Sequence, residues 1–360
     1  MSGVVNITAT ATDVELPNDV LTWSLDPGFP PGASINPTNG LFTWTPTEAQ
    51  GPGTNSVTIR VRDDGIPSFE DFKTFNIVVN ETNKPPVLTL PSNQIVTELV
   101  ALSLTATATD PDLPTNALTF ALVSGPSNLT VSAAGAINWT PSEAQGPSTN
   151  TVFISVTDTN PWAVNAKSIS VTNSFQIIVN ESNSAPTLSP ISDRAINAGI
   201  VLMITNSASD TDLPINTLSF SLLTFPTGAV VNAASGVFTW RPAVAQANTT
   251  NTIAVVVTDT NPYAVNAKSL SATQTFMVTV NSLSNLLVVP SLTNTNQVLL
   301  TITGTIGPDY TIQVASDLTN PVTTWSNLQV YSNVATVPFT HTDTNAPSLL
   351  KRFYRALLGP

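Results

Sequence analysis

Three segments of this chain repeat one another at an interval of about 100 residues, and that interval decides the fold class before any single residue is considered. A glycine turn leads into a tryptophan strand at Gly40-Leu-Phe-Thr-Trp44, Gly135-Ala-Ile-Asn-Trp139 and Gly236-Val-Phe-Thr-Trp240, with proline two residues later at Pro46, Pro141 and Pro242. An apolar-alternating run follows each time and ends in aspartate, at Asp63, Asp158 and Asp259. Solenoid units are far shorter, at roughly 20–45 residues, whereas roughly 100 residues is one β-sandwich. Within the runs the period is two: Val57, Ile59 and Val61 fall on one face, Thr58, Arg60 and Arg62 on the other. That is the pattern of a half-buried antiparallel strand. No stretch has helical periodicity, so the expectation is an all-β chain of two-sheet sandwiches placed end to end.

Closing strands end at Asn80, Asn180 and Asn281, which sets the expected domains at 1–82, 83–182, 183–283 and 284–360. The linkers, Asn80-Glu-Thr-Asn-Lys-Pro-Pro86 and Asn180-Glu-Ser-Asn-Ser-Ala-Pro186, are short and proline-containing, too short for free tumbling. Repeats two and three carry a leading strand (the regions 86–96 and 186–196) that has no counterpart before Val4. The expectation is that the first repeat lacks its first strand, and that the chain is the C-terminal piece of a longer protein or starts at a misassigned site, which would explain the missing signal peptide. From about residue 285 the pattern changes to a smaller β domain with strands at Leu299–Gly304 and Tyr310–Ser316, then Trp325 and Phe353-Tyr-Arg-Ala356. This unit resembles a terminal β-sandwich of secreted proteins of environmental bacteria. Its basic residues Lys351, Arg352 and Arg355 read as a guard on an edge strand.

Only 9% of residues are charged, against about 25% in ordinary proteins. The polar surface is therefore built from Thr, Ser and Asn, which suits outward strand positions. A net charge of −12 with 11 basic residues argues against phosphate-backbone binding and hence against nucleic acid. The absence of cysteine removes disulfides, thiolate metal sites and a cysteine nucleophile. No apolar run reaches the roughly 18 residues of a membrane span. Catalysis finds little support. The single histidine, His341, has Asp343 nearby but no Gly-x-Ser-x-Gly elbow, no histidine pair at zinc spacing and no phosphate loop accompany it. The expectation is a protein that is not an enzyme.

With so few acidic residues, their positions carry information. Asp110-Pro-Asp112 and Asp210-Thr-Asp212 follow a strand at a domain end, Asp158 and Asp259 end another, and Glu48 and Glu143 stand four residues after a tryptophan. Carboxylates brought by separate loops are what Ca²⁺ requires, since it takes six to eight oxygen ligands in adaptable geometry. The competing reading is that these aspartates cap turns. The arrangement over residues 1 to about 282 resembles the cadherin family, and more closely its dystroglycan-type and bacterial Ig-type relatives. The resemblance implies calcium between successive repeats. It implies Glu48, Asp110, Asp112, Asn116 and Asp158 as ligands after repeat one, and Glu98, Glu143, Asp210, Asp212, Asn216 and Asp259 after repeat two. The linkers depart from the family pattern, with Asn80 and Asn83, and Asn180 and Asn183, where aspartate would stand. Amide oxygens ligate with less charge. Val244 replaces glutamate in the third repeat, which weakens the case for a site at its far end.

Trp44, Trp139 and Trp240 read as core. The hairpins Thr159–Ser168 and Thr260–Ser269 are nearly identical and present Trp162 and Tyr263, candidate contact aromatics. Together these features give an extracellular or cell-surface stalk of adhesion type, partnered by protein, glycan or its own copies. The alternatives are a carbohydrate- or protein-binding appendage of a larger secreted enzyme, or a fibre subunit whose incomplete first domain accepts a strand from a neighbour.

Overall fold

A computed structural model describes residues 3–14, 19–293, 297–318, 324–346 and 351–359. The chain divides into two compact units, Met1–Asn180 and Glu181–Pro360. Among the described residues the only helical turns are three short 3-10 turns, Glu48–Gln50, Glu143–Gln145 and Val244–Gln246, one after each tryptophan strand.

In the first unit the second repeat shows the complete sandwich. One sheet runs Ala117–Ser124, Ser148–Thr159, Ser170–Asn180, Gln94–Thr97, and its last strand lies parallel to Ser170–Asn180. The facing sheet pairs Ala136–Trp139 with Leu102–Thr105 and Thr130–Val131. Val152, Ile154, Val156, Phe175, Ile177 and Val179 from the first sheet pack on Ile137 and Trp139 from the second. Each such side chain contributes about 1.5–3 kcal/mol when fully buried. The same two-residue alternation that buries Val152, Ile154 and Val156 also puts Asp158 on the inward face at the strand's end. The first repeat has Thr22–Leu25, Gly53–Arg62 and Glu70–Val79 in one sheet, with no fourth strand on Glu70–Val79 among the described residues.

The second unit repeats this plan and adds a different sandwich. Arg194–Ile196, Ser271–Val280, Thr249–Thr258 and Ser219–Thr224 form the larger sheet. Val237–Trp240 pairs with Leu202–Thr205 and Val230–Val231 in the smaller one. In the C-terminal part, Leu287–Leu292, Val298–Thr303 and Phe339–Asp343 face Ser326–Tyr331, Asp309–Ala315 and Phe353–Gly359 around Leu300, Ile302, Tyr310 and Ile312.

All three repeat tryptophans are core, each exposed by 2% or less. Each indole Nε1–H donates to a backbone carbonyl: Pro31 O at 3.2 Å, Ser127 O at 3.1 Å and Thr227 O at 3.2 Å. The glycine before each is required by the backbone. Gly135 has φ +89, and a Cβ there would stand 2.4 Å from the Ala106 carbonyl oxygen.

Candidate metal centre

In the first unit, four loops converge where repeat one passes into repeat two. The closing strand Glu70–Val79 delivers the linker that begins Asn80-Glu81. The 3-10 turn after Trp44 supplies Glu48. The turn after Thr107–Thr109 supplies Asp110 and Asp112, and the end of Ser148–Thr159 supplies Asp158. One carboxylate oxygen from each of Glu48, Glu81 and Asp112 lies within 4.8 Å of the other two. Glu81, Asp112, Asp158, Asn83, Asn116 and Asn160 are all buried, Glu81 and Asp158 completely.

Amides tie the acids to one another. Asn83 Nδ2 donates to Asp158 Oδ1 at 2.9 Å. Asn116 Nδ2 lies 3.3 Å from each of Asp110 Oδ1, Asp112 Oδ2 and Asn83 Oδ1. The Lys84 backbone N–H donates to Asp112 Oδ2 at 2.8 Å, and its Nζ donates to Glu48 Oε2 at 2.8 Å and stands 3.5 Å from Asp112 Oδ1. The turn-capping role expected of aspartates is real for one oxygen: Asp110 Oδ1 accepts from the Asp112 backbone N–H at 2.9 Å. It leaves others unused. Both oxygens of Glu81, Asp110 Oδ2, Asp158 Oδ2, Asn116 Oδ1 and Asn160 Oδ1 are buried and accept no hydrogen bond. A buried polar atom without a partner costs about 1–3 kcal/mol, and a charged one more.

The electrostatics follow from that geometry. Burial pushes the Glu81 carboxyl above its ordinary value, and the charges of Glu48 and Asp112 push it further. The Asn160 amide, outside hydrogen-bonding geometry, and the Lys84 ammonium offset this only in part. Asp110 is likewise raised, first by burial and then by Asp112 and Asp158, against the Asp112 N–H that it accepts. All the donors available to an ion are oxygens, several carry full charge, and they come from separate loops. That set fits a hard divalent cation such as Ca²⁺.

The hairpin after Asp158 braces the linker. Asn83 N–H donates to Asn165 Oδ1 at 2.8 Å, Asn165 Nδ2 donates back to Asn83 O at 2.9 Å, and Val164 N–H donates to Glu81 O at 2.9 Å. Lys167 Nζ closes the hairpin onto Pro161 O and Ala163 O at 2.5 and 2.6 Å. Trp162, at its tip, is 52% exposed.

At the other end of the same unit, Glu98 is buried and offers an oxygen within 4.8 Å of one from Glu143, which starts its own 3-10 turn. The second unit begins with a set chemically like the one around Glu81. Glu181, Asn183, Asp212, Asn216, Asp259 and Asn261 are buried there, and Asp210 is half-buried. Asn183 Nδ2 donates to Asp259 Oδ1 at 2.9 Å, and Asn216 Nδ2 to Asp212 Oδ2 at 2.8 Å. Asn261 Nδ2 donates to Glu181 Oε1 at 3.0 Å. Glu181 Oε2, Asp210 Oδ2 and Asp259 Oδ2 are buried without a hydrogen bond, and burial raises the Asp210 carboxyl. Asn266 clasps Asn183 as Asn165 clasps Asn83. Tyr263 is 59% exposed.

Sequence reasoning missed Glu81, Glu181, Asn160 and Asn261. A signal was present: Asn-Glu-x-Asn recurs at residues 80–83 and 180–183, and Thr-Asn-Pro opens both hairpins. His341 and Asp343 have separate partners. His341 Nδ1 stands 2.9 Å from the Tyr331 hydroxyl, and Asp343 accepts from Tyr354 and pairs with Arg352.

The family model described as "Putative Ig domain" matches residues 2–80 and 185–281. No curated protein matches the chain. Among solved structures, mouse cadherin-23 repeats EC22–24 are 22% identical, with 77% of this chain and 91% of that one covered at a TM-score of 0.42. The protocadherin GammaB4 extracellular domain is 18% identical at a TM-score of 0.38, covering 78% of this chain and about half, 51%, of its own length. Drosophila N-cadherin EC1–4 is 13% identical, with 92% of each chain covered at a TM-score of 0.31.

Proposed function

Because this chain is a tandem array of cadherin-like, Ig-type β-sandwich repeats, we propose that it is an extracellular structural stalk of adhesion type, with Ca²⁺ held between repeats one and two. Glu81 carries this reading. It is completely buried, neither of its oxygens accepts a hydrogen bond, and it shares a cluster with Glu48 and Asp112. Glu48, Glu81, Asp110, Asp112, Asp158 and the amide oxygens of Asn116 and Asn160 would hold the ion. The ion would supply the positive charge that the buried carboxylates lack. Neutralised, the linker and both sandwiches form one stiff element; without the ion, repulsion among the acids loosens it. The acids around Glu181 in the second unit, and the Glu98–Glu143 pair, extend the same chemistry along the sequence.

Calorimetric titration of CaCl₂ into the chelator-treated chain, with X-ray scattering in both states, tests the reading. Binding in the micromolar-to-millimolar range with a longer, stiffer particle is expected. No heat and unchanged scattering would overturn it. A second reading, a self-assembling fibre subunit, is favoured by one observation. Among the described residues, the Glu70–Val79 strand has no neighbour on the side where Ser170–Asn180 carries Gln94–Thr97. Such an edge is a template for β-augmentation. Concentration-dependent polymers in electron micrographs would support it.

A further inference from the structure

The two linkers match through Asn83 and Asn183 but for the exchange of Thr82 for Ser182, then differ in one chemically large way: Lys84 stands where the second has Ser184. The backbone at this point is the same in both. Lys84 N–H donates to Asp112 Oδ2 at 2.8 Å, and Ser184 N–H to Asp212 Oδ2 at 3.0 Å. Only the side chain changes. That of Lys84 carries an ammonium to Glu48 and Asp112, the two acids whose oxygens cluster with those of Glu81.

We propose that Lys84 is a tethered cation of the first junction: it holds Glu48 and Asp112 together when calcium is scarce, and competes with calcium for the same oxygens when the ion arrives. This inference rests on reading the junction as a calcium site. Three features support it. The ammonium sits 2.8 Å from Glu48 Oε2, which is ordinary charge-assisted hydrogen-bond geometry. It leaves Glu81 uncompensated by any hydrogen bond, so one lysine does not complete the cluster. Its side chain is 41% exposed and flexible, so it can leave for solvent without unfolding anything. A divalent ion and an ammonium on the same two carboxylates repel one another and divide the same negative charge, so each weakens the other's hold. Calcium binding therefore works against the Lys84 contacts. The first junction is then a weaker calcium site than its acids alone would make, and better held without calcium.

The test uses the full chain with Lys84→Ser and Lys84→Met, CaCl₂ as the probe, and two readouts: calorimetric affinity, and thermal midpoint in chelator and in saturating calcium. The expected result is calcium affinity raised about tenfold in both variants, within the usual range of coupling between two ligands. The midpoint should fall in chelator, and this loss should vanish or reverse in calcium. The reciprocal variant Ser184→Lys, which leaves the first junction untouched, is expected to weaken calcium binding by about tenfold as its ammonium meets Asp212. Wild-type affinity in the Lys84 variants, with a lowered midpoint in both conditions, would overturn this inference and leave the calcium reading standing. Absence of binding in every variant would remove the calcium reading itself, and this inference with it.

Discussion

Two joints of this molecule solve one problem by opposite means. Between repeats one and two, within the first unit, buried acids face one another with a single lysine among them. Between repeat three and the C-terminal sandwich, within the second unit, the contact is protein on protein. Arg241 replaces the threonine that follows the tryptophan in repeats one and two. Its Nε donates to Gly199 O at 2.6 Å, and its Nη2 to Asp309 Oδ1 at 2.9 Å and Asn333 Oδ1 at 2.8 Å. Asn197 Nδ2 adds a bond to Ile306 O at 3.1 Å. The backbones touch: a Cβ on Gly199, whose φ is +77, would stand 2.4 Å from Gly307 O. At the positions of Glu98, Glu143 and Glu181 the third repeat has Ala198, Val244 and Ser282. The difference teaches that acids at a repeat end are no requirement of the sandwich. Where they are lost, an arginine and a close glycine contact take over, and every polar group of Arg241 named here has an internal partner.

The largest expected effect separates the joints by calcium. If the first junction binds the ion, calcium at a hundredfold its dissociation constant stabilises the first unit by about 2.7 kcal/mol. Glu81→Gln should abolish most of that gain. In chelator the same substitution should stabilise the chain by about 1 kcal/mol, because it removes a buried, repelled charge. Thermal melts of both proteins, with calcium and with chelator, should therefore cross. Parallel melts would mean that Glu81 is a tolerated buried acid and nothing more.

Arg241→Ala is expected to come next, at about 2 kcal/mol, below the 3–5 of a fully buried pair because both partners keep some exposure. It takes donors away from Gly199 O and Asp309 together. Denaturant unfolding should show the same loss in calcium and in chelator. A loss that calcium repaired would mean that the joint between repeat three and the C-terminal sandwich also depends on the ion, and the contrast between the joints would collapse.

The sandwich fold was legible because burial in a sheet has a period of two. Val152, Ile154 and Val156 declare the face, and Asp158 follows on that face because the alternation does not stop at the last apolar residue. Asp112, Asn116, Asp212 and Asn216 were legible as well, since their spacing within one loop survives folding, and all are buried. Glu81 and Glu181 were not. A glutamate just after a closing strand looks like a solvated linker residue until the hairpin across from it is known to fold over it, and that contact joins residues about 80 apart in sequence. Asn160 was hidden for the same reason behind the more conspicuous Trp162. Arg241 was visible only as a departure from threonine, and its meaning depended on Asp309 and Asn333 in a sandwich of different pattern.

The smallest expected effect sharpens the comparison on a single buried acid. Asp343, in the C-terminal sandwich, is nearly as deeply buried as Glu81, at 3% exposure, yet it is fully partnered. Tyr354 OH donates to Oδ2 at 2.9 Å, Asn345 N–H to Oδ1 at 3.0 Å, and Arg352 Nε pairs with it at 2.7 Å. Burial pushes the Tyr354 phenol up to about 12, and its hydrogen bond to Asp343 and that carboxylate's charge push the same way, against Arg352. The phenol is thus held protonated in the folded chain. A tyrosine whose folded value lies above its unfolded value of about 10 contributes stability that is complete below pH 10. That contribution, on the order of 1 kcal/mol after allowance for partial exposure, is lost as the pH rises from 10 through 12. Burial also raises Tyr310 and Tyr331, so ultraviolet titration of the phenolates should show several late tyrosines, one fewer in Tyr354→Phe, and the variant's stability should fall less steeply over that window. An early-ionising Tyr354 would mean that Asp343 is not held by internal partners. The distinction between an acid completed by the protein and an acid left for an ion would then fail at its best-defined example.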